Sequence, residues 1–275
     1  MIATLREHPA AVAQALTGRD YVSYSALSTY QQCPLRYYFR YVEGLPEETV
    51  SASLVFGGAI HVAVEHHFRQ LLEGCPAPPL DDLLAVYRDA WREREGSQIQ
   101  FNKDDDESTL AELAKRMLGA FQQSDLAKPR GTILAIEDEL RGELVPGVPD
   151  LLARVDLLVD SGDELIVTDL KTARSRWSQE MVEDSSEQLL LYGHLVRQMF
   201  PGRSLRLEFG VITKAKTPAV DRHEVQLSSQ RLVRTKHVME RIWRAISSGH
   251  FFPAPSPMNC SGCPFRKPCR DWGGS

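Results

Sequence analysis

The chain has 275 residues, 43% of them hydrophobic, and a formal net charge of −5. It is long enough to bury a substantial core, and it contains no internal repeat or low-complexity tract. It has no apolar run long enough to span a membrane and no signal-peptide pattern at its start, which favours a cytoplasmic protein. The absence of a phosphate-binding Gly-x-x-x-x-Gly-Lys-Ser/Thr loop argues against a nucleotide-driven motor, and the absence of a Gly-x-Ser-x-Gly elbow argues against a serine hydrolase.

Hydrophobic periodicity and turn residues predict the elements in chain order. Helices are expected at 25–44, 54–72, 80–94 and 109–123, with a charged loop at 102–107. Strands at 132–144, 151–160 and 164–169 follow, then a helix at 184–199, strands near 205–213 and 221–227, and a helix near 229–248. This order predicts an α/β sandwich with an N-terminal helical elaboration.

Two acids and a lysine lie within short apolar strands. Asp156 is flanked by Val155 and Leu157, and Asp169 and Lys171 end the next apolar run. Burying such charges is costly unless something compensates for them, and a divalent cation between the two carboxylates would do so. Mg²⁺ prefers oxygen ligands, and a bound metal activates water and neutralises charge on a phosphate. The pattern therefore favours metal-dependent phosphodiester hydrolysis, although a hairpin with a solvated Asp–Lys pair would look similar.

Two further features bear on this site. Asp150 with Asp169-x-Lys171 also spells an acid–acid–lysine motif, but Asp150 follows Pro149 in turn-like sequence, so the strand-borne Asp156 is the predicted ligand. Downstream, Gln188 and Tyr192 are spaced i, i+4 on one side of a predicted helix, where they can reach the same site.

Four of the five cysteines form a pattern of one early and three late residues. Cys33 stands alone, whereas Cys260, Cys263 and Cys269 lie close together near the C-terminus. Disulfides would require a secreted protein, and zinc modules usually combine two short cysteine pairs where this chain has one. Four thiolates also suit an iron–sulfur cluster, and the spacing alone does not decide between cluster and zinc. Cys75 is expected to be a free thiol.

These motifs resemble the RecB-like branch of the PD-(D/E)XK nuclease superfamily. The resemblance rests on Asp156, on Asp169-Leu170-Lys171-Thr172 and on Gln188-x-x-x-Tyr192, and upstream on Phe56-Gly57-Gly58-Ala59-Ile60-His61 with Glu65. The segment from Ser23 through Cys33-Pro34-Leu35-Arg36-Tyr37-Tyr38-Phe39 resembles the N-terminal helix of that branch. The matches run in family order over about residues 23–270.

The resemblance implies a restriction-endonuclease-like sandwich, with a central mixed sheet flanked by helices and a cysteine-rich C-terminal tail. It implies His61, Asp156 and Asp169 as ligands of Mg²⁺ or Mn²⁺, with Lys171, Gln188 and Tyr192 completing the site. It also implies a [4Fe–4S] cluster that joins the tail to the N-terminal helix, as in CRISPR-adaptation and AddB-type exonuclease domains. Zinc remains the alternative occupant. The expected organisation is an extension at 1–22 and one nuclease domain at 23–275, divided into a helical part at about 23–130, a catalytic core at about 131–250 and the tail at 251–275.

The expected activity is DNA hydrolysis on single strands or DNA ends, by an exonuclease of repair or DNA processing that has possible protein partners. The acidic net charge does not exclude DNA binding, because a groove needs only a local basic lining. The candidate lining residues lie beside the motifs and are Arg36, Arg40, Arg174, Arg176, Lys214 and Lys216. The alternative function is that of a non-catalytic DNA-binding or nuclease-complex subunit with a structural metal cluster.

Overall fold

The computed structural model describes residues 8–47, 49–93, 98–103 and 105–274. The helices are α1 Pro9–Thr17, α2 Tyr24–Gln32, α3 Pro34–Tyr37, α4 Ala52–Leu72, α5 Leu80–Arg92, α6 Glu107–Gln123, α7 Gln179–Ser185, α8 Glu187–Met199, α9 Ser229–Ser247, α10 Pro257–Cys260 and α11 Arg266–Asp271. The strands are β1 Val22–Ser23, β2 Thr49–Ser51, β3 Gln98–Gln100, β4 Thr132–Gly142, β5 Leu151–Asp160, β6 Glu164–Ala173, β7 Ser204–Thr213 and β8 Val220–Val225. Three predicted features fall partly outside the described residues: the start of the 1–22 extension, the last residue of the 80–94 helix and one residue of the 102–107 loop. No helix in these ranges is both long and apolar enough to cross a membrane.

The main sheet is mixed, as predicted. Strands β5 and β6 form an antiparallel hairpin around the predicted turn, with Asp160 opposite Leu165. Strand β7 runs parallel to β6 along its whole length, and β8 returns antiparallel to β7. A parallel neighbour requires a crossover connection, which α7 and α8 supply. Strand β5 also pairs with β4, and with the short β1, which runs parallel to it.

The chain divides into two compact units. The first comprises residues 1–48, 139–153 and 229–275, and the second comprises 49–138 and 154–228. Strands β4 and β5 each run through both ranges. The predicted division into an extension and a single nuclease domain stays a prediction.

In the second unit, helices α4, α5 and α6 build an apolar core with one face of the sheet. Phe56, Phe68 and Phe121 are fully buried in this core, together with Leu157 of β5 and Leu170 of β6. Helix α8 packs against β6 and β7. It approaches closely at Gly193, where an added Cβ would lie 2.8 Å from the Leu207 side chain. A larger residue there would push the helix away from the sheet.

Three predicted boundaries were wrong for identifiable reasons. The expected helix at 25–44 is interrupted at Cys33, which is extended (φ −160°, ψ 106°) because the residue before a proline disfavours helical backbone. The expected helix at 184–199 is two helices that meet at Ser186, whose hydroxyl donates to the Glu183 carbonyl. Strand β6 continues to Ala173 rather than ending at Asp169, because β7 pairs with it throughout.

Candidate active site

The hairpin of β5 and β6 places Asp156 against the backbone of the neighbouring strand. The antiparallel register pairs Leu157 with Thr168, so Asp156 lies beside Asp169 at the next position. Asp156 Oδ2 accepts a hydrogen bond of 2.6 Å from the Leu170 amide. The Asp156 carboxylate is therefore anchored next to Asp169 by main-chain geometry.

Asp169 and Lys171 form a close ion pair at the end of β6. Residues two apart on a strand project to the same side, and Lys171 Nζ lies 2.7 Å from Asp169 Oδ2. Asp169 is 3% exposed. Among the described residues no donor other than Lys171 reaches this Oδ2 oxygen, and a carboxylate oxygen has two lone pairs, so acceptor capacity remains. A cation would use that capacity.

A third carboxylate, Glu137 of β4, belongs to the same site and was not foreseen from the sequence. Ligand atoms of His61, Glu137 and Asp156 all lie within 4.8 Å of one another. Glu137 has φ 53°, the only positive value among the described non-glycine residues, and it follows two consecutive buried residues that break the alternation of the strand. Glu137 therefore stands at a local bend of β4, with its carboxylate near Asp156. Asp169 lies outside this group of three.

The pKa values of the three neighbouring acids, Asp156, Asp169 and Glu137, are all raised. Burial, followed by the charges of Asp169 and Glu137, raises the pKa of Asp156 well above 3.8. Burial also raises the pKa of Asp169, although Lys171 opposes the shift. Burial raises the pKa of Glu137 too, against the charge of Arg154, whose Nε lies 3.0 Å from Glu137 Oε2. The acids thus repel one another and lack solvent, which is the electrostatic setting of a divalent-cation site.

His61 of α4 completes the group. Its Nδ1 lies 3.9 Å from Asp156 Oδ2. The His61 side chain is 29% exposed, but it lies in the concave wall of a cavity, where nearby protein atoms displace water. This loss of solvent lowers the pKa of His61 to about 4, and the charges of Lys171 and Lys214 contribute to the shift. The imidazole is therefore neutral near pH 7, as a metal ligand must be.

Gln188 and Tyr192 approach this cluster from α8. Lys171 Nζ donates to Gln188 Oε1 at 3.4 Å, and Gln188 Nε2 donates to the Tyr192 hydroxyl at 3.1 Å. Burial raises the pKa of Tyr192 to about 12, so the phenol stays protonated. A polar chain therefore leads from Asp169 through Lys171 into α8.

His61, Glu137, Asp156 and Lys171 line one side of a cavity of about 760 Å³ in the second unit. Its walls come from α4, β4, β5 and β6, and Lys214 after β7 closes one part of it. The other basic candidates lie elsewhere. Three of them, Arg174, Arg176 and Lys216, are exposed. Arg176 Nε lies 3.5 Å from Asp221. The remaining two, Arg36 and Arg40, belong to the first unit, where Arg40 forms an ion pair with Glu47.

Four cysteines come together in the first unit. Burial, followed by the charges of Cys33, Cys263 and Cys260, raises the pKa of the Cys269 thiol. The thiols pack around Leu35 and Phe265, and the Ala254 amide donates to Cys33 Sγ at 3.5 Å. The Asn259 side chain also donates to the Gln32 carbonyl at 2.7 Å. The C-terminal tail is therefore fastened to α2 and α3 beside the thiols, whereas Cys75 is exposed in the second unit.

Asp150 has a different environment from Asp156. Its carboxylate lies 3.1 Å from Arg141 Nε, and the same arginine binds Asp20. These exposed ion pairs belong to the first unit. Asp150 thus has a protein counter-ion, whereas the charge of Asp156 is opposed only at longer range by Lys171.

Comparison with known proteins gives a family and a fold. The PD-(D/E)XK nuclease superfamily model matches residues 21–270. The crystal structure of a candidate exonuclease from Eubacterium rectale is similar at 16% identity, over 100% of this chain and 95% of that chain, with a TM-score of 0.56. The crystal structure of SSO0001 matches at 16% identity over 88% and 92%, with a TM-score of 0.35. No curated protein matches. Because the family model spans most of its length, this chain belongs to the PD-(D/E)XK nuclease superfamily.

Proposed function

We propose that this protein is a divalent-metal-dependent deoxyribonuclease that acts as an exonuclease on single strands or DNA ends. The observation that carries the proposal is the convergence of His61, Glu137 and Asp156 beside the ion pair of the buried Asp169 with Lys171. The mutual repulsion of these acids and the free acceptor capacity of Asp169 fit Mg²⁺ or Mn²⁺. When bound, such an ion supplies charge neutralisation at the scissile phosphate and a more acidic water.

The protein groups around that ion have separable roles. Asp156 and Asp169 provide oxygen ligands, Glu137 adds a third carboxylate, and the neutral His61 adds a nitrogen. Lys171 is held between Asp169 Oδ2 and Gln188 Oε1, so its ammonium can orient the attacking water or stabilise charge on the phosphate. Gln188 positions Lys171, and Tyr192 fixes the Gln188 amide through its hydroxyl.

The four-cysteine group holds a [4Fe–4S] cluster under this proposal, with zinc as the alternative. What supports it is the mutual proximity of the thiols around an apolar core and the one-plus-three spacing seen in the RecB-like branch. The cluster would join the tail to α2 and α3 and lies in a different unit from the carboxylates. Its role is therefore structural, and a protein that keeps thiolates and a cluster suits the reducing cytoplasm.

The Eubacterium rectale protein is described as a candidate exonuclease, and we extend that activity to this chain, in agreement with the resemblance to AddB-type and CRISPR-adaptation domains. We place this activity in DNA repair or DNA processing, where the protein would act in a complex with protein partners. The alternative is a non-catalytic DNA-binding subunit. The retained acids and lysine favour catalysis, because an inactive subunit has no use for buried, mutually repelling carboxylates.

One experiment separates these functions. Anaerobically purified protein is incubated with Mg²⁺ or Mn²⁺ and end-labelled single-stranded, duplex or circular DNA. Exonuclease activity predicts loss of the linear substrates while circular DNA persists. Cleavage of circles would make the protein an endonuclease, and binding without cleavage of any substrate would favour the non-catalytic subunit.

A further inference from the structure

Lys214 occupies a fixed position on the cavity wall. It follows β7 directly, and its amide donates to the Ala173 carbonyl at 2.6 Å, at the same sheet edge where β6 ends. Its Nζ donates to Ser53 Oγ at 3.0 Å and approaches the Ser53 carbonyl at 3.4 Å. The ammonium also lies 5.1 Å from the centre of the Phe56 ring. Neutral groups thus orient this cation without neutralising it.

The other cations of the cavity each have a carboxylate partner. Lys171 pairs with Asp169, and Arg154 pairs with Glu137. Within the described ranges, no carboxylate lies within 4.0 Å of Lys214 Nζ. Burial lowers the pKa of Lys214, the charge of Arg174 lowers it further, and the charge of Asp105 opposes the shift from beyond ion-pair distance. A part-buried cation without a close counter-ion is unfavourable by itself, so its surroundings are better suited to an anionic ligand.

The neighbouring wall leaves room for such a ligand. Ser51, Ser53 and Thr172 line the cavity with Lys214, and all three carry hydroxyls that can donate to phosphate oxygens. An added Cβ on Gly58 would meet no atom within 4 Å, so the backbone of α4 is open to close approach there. Eight residues separate Ser53 from His61 on α4, or about 12 Å of helix. This part of the cavity is therefore offset from the carboxylates.

We propose that Lys214 and Ser53 form a subsite for a phosphate of the bound DNA strand that flanks the scissile phosphate. This inference rests on the proposed function and adds a second anchor to it. The subsite would fix how far the strand advances past the carboxylates. The flanking group is either an internal phosphodiester or a terminal 5′-phosphate, which share the chemistry that the ammonium and hydroxyl would recognise.

The test measures DNA binding in the cleavage-deficient Asp169→Asn protein, so that hydrolysis does not interfere. A fluorescent single-stranded oligonucleotide is titrated at several salt concentrations into this parent and into the same protein with Lys214→Met. Lys115→Met is the matched control, because that lysine is exposed on α6 in the same unit and lines no part of the cavity. Loss of one phosphate contact predicts weaker binding and a salt-dependence slope reduced by about 0.7 for single-stranded DNA. Lys115→Met should leave both values near those of the parent, and Lys214→Arg should restore the slope.

Modified oligonucleotides identify the phosphate. A single uncharged methylphosphonate is moved along the strand, and each oligonucleotide is prepared with a 5′-phosphate or a 5′-hydroxyl. One modification should weaken binding to the parent but cause no further loss with Lys214→Met. If this loss of binding occurs at an internal linkage, the subsite binds an internal phosphodiester. If it occurs only on removal of the 5′-phosphate, the subsite binds the terminal phosphate of the strand.

A thermal melt tests whether misfolding, rather than loss of a phosphate contact, causes the weaker DNA binding of Lys214→Met. Without DNA, Lys214→Met should melt at the same temperature as the parent or higher, because it removes an uncompensated cation. Equal DNA affinity and salt slope for the parent and Lys214→Met would overturn the subsite alone. Failure of the Asp169→Asn parent to bind DNA would overturn the proposed function. If this parent binds DNA but the wild-type protein cleaves none, only the proposed catalytic activity is overturned.

Discussion

A carboxylate oxygen of Glu137 lies within 4.8 Å of one from Asp156, although the two residues lie on different strands and both side chains are largely buried. The approach depends on the left-handed backbone of Glu137, φ 53°. Such a conformation costs a non-glycine residue about 1–3 kcal/mol. The fold keeps this strained bend at the point where a third acid joins the site.

Glu137 should contribute to metal affinity. Glu137→Gln preserves the shape of the side chain and removes its charge, so we expect divalent-ion affinity to fall by about 10–100-fold, the range seen when groups supporting a metal are lost. Titration calorimetry with Mn²⁺ would measure this. Glu139→Gln, an exposed change in the same strand, is the control. Equal Mn²⁺ affinity of both variants would remove Glu137 from the site.

The choice between Asp156 and Asp150 is open to direct test. Asp156→Asn should abolish DNA cleavage because it deletes an anionic ligand, and Lys171→Met should reduce the cleavage rate by about 10²–10³-fold. Asp150→Asn should be mild, because it disturbs only exposed ion pairs with Arg141. Initial cleavage rates at saturating Mn²⁺ measure all three. An inactive Asp150→Asn with an active Asp156→Asn would reverse the assignment.

The buried acids should make the metal-free protein less stable as pH rises. Asp156 has a higher pKa in the folded protein than its ordinary 3.8, so the folded state binds more protons between the two values. The free energy of unfolding therefore falls as pH rises from about 3.8 toward the folded pKa and stays reduced above it. Asp156→Asn should raise the melting temperature of metal-free protein at about pH 8 and have little effect at about pH 4.

Thermal melts with a chelator would reveal that difference. Added Mn²⁺ should then stabilise the wild-type protein more than Asp156→Asn, because binding to the folded state adds stability according to affinity. If Asp156→Asn is less stable than the wild type at both pH values, the Asp156 carboxylate is not destabilised by its surroundings.

The cysteine group should stabilise the protein without taking part in hydrolysis. Cys33→Ser should lose bound iron and lower the melting temperature, because a cross-link closing so long a loop contributes about 5 kcal/mol in the chain-entropy model. Cys75→Ser should do neither. Anaerobic protein should be brown and contain about four irons per chain. Colourless protein with one zinc per chain would replace the cluster by zinc and leave the structural role intact.

The sequence predicted the mixed sheet because its strands depend on local patterns. The hairpin turn after Asp160 and the apolar runs around it identify β5 and β6, and Asp169-Leu170-Lys171 stands out as charge within such a run. The i, i+4 spacing of Gln188 and Tyr192 places them on one side of a helix, and in the structure they are hydrogen-bonded; their roles stay predictions. The helix expected through Cys33 was wrong, because the residue before Pro34 disfavours helical backbone.

Glu137 was missed for a different reason. Glu137 is the first of three consecutive acids, Glu137-Asp138-Glu139, and such a run is typical of a solvated segment rather than of a buried site. The two consecutive apolar residues before it were the available signal of a bend. The sequence indicated Lys214 only as a general DNA contact, because the absence of a close carboxylate depends on how separate segments are positioned in the fold.

The most direct measurement is the Mn²⁺-dependent rate of hydrolysis of an end-labelled linear DNA by wild-type protein and by Asp169→Asn. The account predicts rapid hydrolysis by the wild type, none when a chelator removes Mn²⁺, and loss of activity in Asp169→Asn with its fold retained. Hydrolysis by Asp169→Asn at the wild-type rate, or equal rates with and without Mn²⁺, would contradict it.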